Sequence, residues 1–245
     1  MIKKSNYIQA FFLGKIDYLS AMRLQEKINT LVFSKKISQT ILFLEHDNVL
    51  TYGSSEKISE SEIDKLNQFN NNFTHVKTNR GGQITLHSPG QLICYPIINL
   101  KEHFSGVLDY VQFLEKTIIE TLSHYNIKSH RVQQRRGIWV NGDPDEKYLE
   151  NMNPSGEKIA ALGLKIIKNV TLHGFSLNVD NDLSLFDSIV PCGMKNLRVN
   201  SINNLLSKTV AIEEVSKKVS LKMSEILQIP IVFKSDIENE IRILE

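Results

Sequence analysis

The two cysteines of this sequence stand in very different settings. Cys94 lies inside the apolar run 92–98, which is typical of a small buried side chain. Cys192 lies between Pro191 and Gly193, so its backbone is restrained on one side and permissive on the other, which suits an exposed thiol in a turn. An ordinary thiol with a pKa of about 8.5 is only a few per cent ionised at neutral pH. Covalent chemistry at Cys192 would therefore benefit from a nearby cation.

Lys158 is the candidate for that cation, because it opens the long apolar stretch 159–167. Taken alone, such a lysine is most often a strand-end residue whose charged head reaches solvent. The functional interpretation is a lysine held close to a nucleophile, where its charge favours the thiolate. Ala160, Ala161 and Gly163 are small and would leave room for an acyl chain, although they would serve tight strand packing equally well.

A third candidate is the string that begins at Arg80-Gly81-Gly82 and continues through His87 to Gln91. Paired glycines let a backbone approach a ligand closely. His87 and Gln91 flank a Ser-Pro-Gly turn, and loops on a rigid scaffold commonly hold binding groups. The ordinary alternative is a glycine hairpin with a surface histidine. The combined string favours a binding site more strongly than the glycine pair does.

A fourth candidate is His173-Gly174, which interrupts the strand-like stretch 171–179. A glycine in such a stretch suggests a bulge or a close backbone approach. A partly buried histidine with satisfied hydrogen bonds is the ordinary alternative, and taken alone this string favours it.

Hydrophobic periodicity predicts the elements that position these residues. Helices are predicted at 17–36 with Asp17 as the cap, at 107–125 and at 211–228; strands at 40–45, 83–86, 91–98, 138–140, 159–167 and 171–179; a turn-like stretch at 49–57, a polar surface excursion at 59–73 and an exposed loop at 141–157. Strands in the middle with helices near both ends favour an α+β fold over a doubly wound sheet. No obvious linker divides the chain, so one domain over 1–245 is expected.

Bulk composition excludes several classes of protein. The 245 residues are 41% hydrophobic and 23% charged with a net charge of +2, an ordinary globular composition that does not point to nucleic-acid binding. No stretch is long and apolar enough to predict a membrane span, and the first residues lack the pattern of a secretory signal. Two cysteines make no disulfide framework, so we expect a cytoplasmic protein with reduced thiols.

The four strings, in this order and at these intervals, resemble the lipoyl(octanoyl) transferase family. That family has an Arg-Gly-Gly segment leading to His-Gly-Pro-Gly-Gln, then a Lys-Ile-Ala strand, a His-Gly strand and a Pro-Cys-Gly loop. The resemblance extends upstream to Leu44-Glu45-His46 and covers roughly residues 40–195. It implies a biotinyl/lipoyl-protein-ligase-like α+β fold, a mixed β-sheet with flanking helices.

The resemblance also implies an activity and the residues that perform it. The activity is transfer of octanoyl from octanoyl-acyl carrier protein to a lysine of apo lipoyl domains, those of 2-oxoacid dehydrogenases and the glycine cleavage H protein, as the first step of endogenous protein lipoylation. Cys192 matches the residue that carries the thioester, and Lys158 the lysine that lowers the pKa of the cysteine and assists proton transfer. The segments that match the acyl pocket are Arg80, Gly81, Gly82, Gln83, Ile84, Thr85, Leu86, His87, Ala161, Leu162, Gly163, His173, Gly174 and Phe175. No ATP, metal or other cofactor is expected, nor a nucleic-acid or membrane partner.

Three features depart from the family pattern. Leu86 stands where an aromatic residue is common, a change that would reshape the pocket wall and affect the preferred chain length. Ser88 stands where glycine is usual, and its Cβ disfavours a left-handed backbone. The segment between Trp139 and Lys158 is longer than is typical.

Other functions remain open from the sequence. An ATP-dependent lipoate- or biotin-protein ligase would share the fold but need a nucleotide site and no nucleophilic cysteine. An enzyme shuttling octanoyl groups between lipoyl proteins would use the same chemistry with another donor. A non-catalytic module that binds acyl carrier protein would tolerate loss of Cys192. For docking of the acidic carrier, the best candidate surface is the basic run Lys128, His130, Arg131, Arg135 and Arg136, which is equally compatible with a solvated surface.

Overall fold

A wide mixed sheet with helices on both faces frames this structure, a computed structural model that describes residues 7–69, 73–146, 155–188 and 197–237. The strands are β1 Ile8–Lys15, β2 Thr40–Glu45, β3 Val49–Tyr52, β4 Thr74–Lys77, β5 Ile84–His87, β6 Gln91–Ile97, β7 Ser129–Val132, β8 Arg135–Val140, β9 Glu157–Ile167, β10 Val170–Asn178 and β11 Ile231–Phe233. The helices are α1 Tyr18–Phe33, α2 Glu60–Phe69, α3 Leu100–His103, α4 Val107–His124, α5 Ile202–Leu206 and α6 Ile212–Leu227, with a 3₁₀ helix at Leu183–Ser188. Cys192, the predicted nucleophile, lies outside the described residues.

The larger sheet has eight strands in the order β11-β1-β2-β6-β10-β9-β8-β7. β1 runs parallel to both β11 and β2, whereas the pairs from β2 to β7 are antiparallel. Successive side chains of a strand point to opposite faces. In β2, Ile41 and Phe43 therefore join the core under α4 and α6, while Leu42 and Leu44 join the core under α1. Burial on both faces explains why β2 reads as a continuous apolar run.

A second, three-stranded sheet in the order β4-β3-β5 packs with α2 and carries the end of the Arg80–His87 string. Here two predictions were wrong. The stretch 49–57 begins with strand β3 before its turn, and the expected surface excursion 59–73 contains the helix α2. Ser59 and Glu62 form a capping box, with Ser59 N–H donating to Glu62 Oε2 at 2.8 Å and Glu62 N–H donating to Ser59 Oγ at 3.2 Å.

The elements with strong local signals agree with the sequence predictions. Asp17 caps α1 by accepting from Ser20 N–H at 2.8 Å, β2 has the predicted bounds, and α4 and α6 end within a few residues of theirs. The predicted break at His173-Gly174 does not interrupt pairing, because β10 stays in register with β9 from Val170 to Leu177. His173 instead has a left-handed backbone, with φ of 57°.

Candidate active site

Two adjoining cavities lie where the small sheet meets β9 and β10 of the large one. The first has an empty volume of about 340 Å³, counting its open mouth, and is lined by Tyr18, Arg80, Thr85, His87, Tyr95, Ala161, Leu162, Gly163, His173, Gly174, Phe175 and Ser176. The second, of about 380 Å³ on the same basis, its open mouth included, is lined by Thr85, Leu86, Gln91, Lys158, Ala160, Ala161, Ser176, Asn178, Phe186, Leu197 and Val199. Thr85, Ala161 and Ser176 line both cavities, so small side chains form their shared wall.

Arg80 holds the glycine loop of the first cavity in place. Its guanidinium donates to Thr51 O at 2.6 Å, to Thr51 Oγ1 and to Gln83 O at 2.7 Å, and the side chain is 6% exposed. In return, Gly53 N–H donates to Gln83 O at 3.0 Å. A Cβ on Gly53 would lie 2.3 Å from Gly82 O, so glycine is required for this interlock.

The residues 80–87, which were predicted to line the pocket, therefore fall into two groups. Arg80, Thr85, Leu86 and His87 line the cavities. Gly81, Gly82, Gln83 and Ile84 are absent from both linings among the described residues, and their part is to shape the loop backbone. Gly81 N–H donates to Leu164 O at 3.0 Å, which fixes that loop against β9.

Three buried histidines belong to this region: His87 and His173 line the first cavity, and His46 contacts the lining residues Tyr18 and Tyr95. His46 Nδ1–H donates to Ile16 O at 2.7 Å, so its Nε2 accepts from the Tyr95 hydroxyl at 3.0 Å. Burial lowers the pKa of His46 to about 4. Burial and the charge of Arg80 lower the pKa of His173 to about 4 as well. At neutral pH both imidazoles are therefore uncharged and act as hydrogen-bonding groups.

His87 is the third member, with its ring 5.7 Å from that of His46 and stacked on Tyr18 at 6.0 Å. Gln91 fixes the His87 tautomer. Its amide nitrogen donates to Asn178 Oδ1 at 2.9 Å, so its oxygen accepts from His87 Nδ1 at 2.8 Å and Nε2 remains an acceptor. Burial holds the pKa of His87 well below its usual range, which keeps the ring neutral.

Lys158 lines the second cavity and is 8% exposed. Its backbone pairs on two sides: Trp139 is its partner on β8, and Val199 bridges it on the other side. Lys158 N–H donates to Arg198 O at 2.8 Å, and Asn200 N–H donates to Lys158 O at 3.0 Å. The described segment that follows Cys192 in the sequence is thus fastened directly to the strand that carries Lys158.

A chain of side-chain amides connects the two cavities. Asn178 Oδ1 accepts a hydrogen bond from the Gln91 side chain, and Asn178 Nδ2–H donates to Asn200 O at 3.0 Å. The Asn200 amide in turn donates to Glu157 Oε2 at 2.8 Å. Because buried amides are costly when unpaired, this chain fixes the positions of His87, β10 and the 198–200 segment relative to one another.

His173-Gly174 is explained by the neighbouring strand. A Cβ on Gly174 would lie 2.3 Å from Cys94 O and 2.7 Å from Pro96 Cδ, so β6 passes too close for any side chain. The preceding His173 lines the cavity, donates its backbone N–H to Gln25 Oε1 at 2.8 Å and its Nε2–H to Asn79 Oδ1 at 3.0 Å.

Replacing Gly174 by alanine should destabilise the protein by about 2–3 kcal/mol, because the added methyl overpacks backbone atoms that cannot move aside. Urea unfolding followed by circular dichroism measures this change. Gly106→Ala is the matched control, since a Cβ there meets nothing within 4 Å. An unchanged midpoint for the Gly174 variant would contradict the close approach of β6.

The sequence departures have simple structural outcomes. Ser88 has no positive φ, so its Cβ causes no strain there; the left-handed residue of that turn is Gly90, with φ of 89°. Leu86 is 1% exposed, packs in the cluster with Leu50 and Tyr52, and lines the second cavity. An aliphatic residue therefore forms that part of the wall.

Several residues that line the cavities belong to none of the four strings. Ser176 and Asn178 follow Gly174 at intervals of two on β10, and this alternation was the signal that could have found them. Tyr18 and Tyr95 come from α1 and β6, and no local pattern connects them to the four strings.

The fold matches solved structures of ligases. A crystal structure of lipoate-protein ligase A bound with ATP superposes with a TM-score of 0.66 at 17% identity, covering 97% of this chain and 94% of that one. A bipartite lipoate protein ligase from Thermoplasma acidophilum superposes with a TM-score of 0.62 at 15% identity, covering 97% and 92%. At these identities the match establishes the fold alone, and it confirms the predicted α+β, ligase-like class.

Sequence comparison identifies the family. The family model of the lipoyl protein ligase A/B catalytic domain matches residues 17–224. The chain belongs to this family. It is 36% identical over 228 residues to the octanoyltransferase of Christiangramia forsetii, covering 88% of this chain and 94% of that protein. It is 37% identical over 208 residues to the octanoyltransferase of Mycobacterium tuberculosis, covering 85% and 82%.

These relatives confirm the predicted family and enzyme class: within the lipoyl protein ligase A/B family, this chain groups with octanoyltransferases. In the described parts of the chain, no helix combines the length and apolar character needed to cross a membrane. The same parts contain no group of three or more His, Cys, Asp or Glu side chains placed to hold a metal ion.

Proposed function

We propose that this enzyme takes the octanoyl group from octanoyl-acyl carrier protein onto Cys192 and passes it to a lysine of apo lipoyl domains. The proposed acceptors are the lipoyl domains of the 2-oxoacid dehydrogenases and the glycine cleavage H protein. We also propose that the enzyme acts in the cytoplasm and that residues 1–245 form one catalytic domain. The observation that carries the proposal is Lys158: a nearly buried cation at a cavity lined mainly by small and apolar residues, on the strand to which the segment after Cys192 is fastened.

The first half-reaction exchanges one thioester for another. The Cys192 thiolate attacks the carbonyl carbon of the donor thioester, the new C–S bond forms, and the carrier thiol leaves and takes up a proton. Lys158 is proposed to stabilise the thiolate and to exchange that proton. Because reactant and product are both thioesters, this step is nearly balanced in free energy.

The second half-reaction makes an amide. The lysine amine of the lipoyl domain attacks the Cys192 thioester, loses a proton as the C–N bond forms, and releases the thiol. Amide formation from a thioester is downhill, so the proposal needs neither ATP nor a metal. Covalent catalysis thereby divides one encounter between two proteins into two successive ones.

The acyl chain is proposed to occupy the two cavities. Thr85, Leu86, Ala161, Leu162, Gly163 and Phe175 supply their walls, and the Arg80-fastened loop and the neutral histidines shape the first cavity. Neutral imidazoles suit this location, because an additional charge without a hydrogen-bonding partner beside an alkyl chain would cost several kcal/mol of desolvation.

Intact-mass spectrometry after mixing the purified enzyme with octanoyl-acyl carrier protein, without nucleotide, tests this function. We expect one hydroxylamine-labile octanoyl group per chain and its transfer to an added apo lipoyl domain. The matched comparison supplies free octanoate with ATP and Mg²⁺. Transfer only under the second condition would identify a ligase and overturn the proposal, and binding of the carrier without an adduct would identify a non-catalytic module.

The proposed docking surface for the acidic carrier is the β7–β8 hairpin, at the edge of the large sheet beside β9. Lys128 and Arg136 are exposed there, while Arg131 pairs with Glu115 at 3.4 Å. A basic patch increases the association rate with an acidic partner, and salt weakens this effect because charges are screened over roughly 8 Å at physiological ionic strength.

Reversing Lys128 and Arg136 to glutamate should lower the rate of Cys192 acylation by the carrier about tenfold at low salt and flatten its salt dependence. Reaction with a small octanoyl thioester should be unchanged. Lys35→Glu with Lys36→Glu, after α1, makes the same change in charge elsewhere and serves as the control. Equal slowing with both donors would indicate damage to the pocket, and no slowing would place the carrier on another face.

A further inference from the structure

The side chain of Lys158 lies against two residues of β8, Gly137 and Trp139, which together are called its seat. Trp139 is fully buried, and the Lys158 Nζ lies 5.8 Å from the centre of its ring. A lysine ammonium within about 6 Å of a tryptophan face is attracted by the negative face of the ring, and more strongly where water is excluded. Lys158 is only 8% exposed, so water is largely excluded from this contact.

Gly137 provides the space for the lysine chain. Its backbone has φ of 122°, which side-chain-bearing residues rarely adopt. A Cβ at this position would lie 2.4 Å from Lys158 Cε, 2.6 Å from Ala160 O and 3.3 Å from Lys158 Nζ. The alkyl chain of Lys158 therefore passes directly over the backbone of Gly137, and any side chain there would displace it.

A shift in strand register brings the lysine and the tryptophan together. Ile138 pairs with Ala160, but Trp139 pairs with Lys158, so Ile159 is one extra residue on β9. Without the shift, Trp139 would pair with Ile159 and Lys158 would lie opposite Val140. Bulges of this kind often re-aim a side chain beside an active site.

We propose that Gly137 and Trp139 are positioning residues for Lys158: the glycine opens the path of the lysine chain and the indole face holds its ammonium at the second cavity. The inference rests on the proposed role of Lys158 toward Cys192. Trp139 also packs with Val132 and Leu197, and this contact offers a way to separate positioning from mere packing.

The test is the pH profile for alkylation of Cys192 by iodoacetamide in the full-length protein, in a Cys94→Ala background. Trp139→Leu should move the profile to higher pH and slow alkylation at pH 7 about three- to thirtyfold, since the ring no longer holds the ammonium. Trp139→Phe, which keeps an aromatic face, should lose less than about threefold. Val132→Ala removes packing around the indole without removing the ring, and should leave the profile at its wild-type position.

Gly137→Ala supplies an independent variant and should slow alkylation as Lys158→Met does, while the open-site control Gly106→Ala should not. A double-mutant cycle decides whether the effects pass through the lysine: in a Lys158→Met background, Trp139→Leu should add no further shift. A Trp139→Leu profile equal to wild type, or an undiminished shift in the Lys158→Met background, would overturn the inference. If Lys158→Met itself changes nothing, the proposed role of Lys158 fails instead.

Discussion

Cys192→Ala should carry no octanoyl group after incubation with octanoyl-acyl carrier protein and should lose transfer to lipoyl domains by three orders of magnitude or more. Removal of a covalent nucleophile leaves only binding and electrostatic contributions to rate, which explains the size of the loss. Intact-mass spectrometry measures the adduct, and a gel-shift or mass assay of the lipoyl domain measures transfer.

Cys94→Ala is the matched control, because it removes the other thiol. Cys94 is fully buried, and burial raises its pKa well above the usual range, so its thiolate is suppressed. It also pairs with Phe43 and Phe175 across the sheet, away from solvent. The Cys94 variant should form the adduct at the wild-type rate, apart from any loss of stability. An adduct that persists in the Cys192 variant would disprove the mechanism.

Lys158→Met should slow transfer by about 10²- to 10⁴-fold, the usual size of a general acid–base contribution. It should also shift the alkylation profile of Cys192 to higher pH, because the cation that favours the thiolate is gone. Methionine keeps most of the length of the side chain, so packing at the second cavity changes little. Steady-state rates at several pH values and iodoacetamide labelling measure the two effects.

Lys165→Met is the control for a lost lysine on the same strand, since Lys165 is exposed and belongs to neither cavity lining. It should leave both measurements at the wild-type value. An unchanged labelling profile for Lys158→Met would reduce that residue to a strand-end lysine, the ordinary interpretation of its position in the sequence.

Local signals in the sequence were sufficient for some elements of the fold. Asp17 before an amphipathic stretch predicted α1 because capping and periodicity act within one turn. The edge strands β7 and β11 were not predicted, since three or four residues carry little periodicity and their strand state depends on a partner. For α2 the capping box at Ser59 and Glu62 was visible, but sparse apolar residues obscured the helix.

The same division holds at the site. Lys158 and His173 could be selected as candidates because each lies in a string of residues that is contiguous along its own strand. The seat of Lys158 was not, because it depends on a register shift against β8 that no single segment encodes. Tyr95 and His46 meet only through the three-dimensional pairing of β2 with β6. Long-range strand register is thus the information that local sequence patterns lacked for predicting the residues around the two cavities.

The shared wall of the two cavities also bears on how such an enzyme can diversify. Thr85, Ala161 and Ser176 are small, neutral and distinct from the residues proposed to move protons or hold the thioester. In the proposed function, enlarging or shrinking one of them alters the space for an alkyl tail and leaves the reacting groups untouched. The preferred length of the acyl chain and the reaction chemistry can then evolve as separate traits. Single substitutions in this shared wall would produce enzymes of intermediate chain-length specificity on which selection can act.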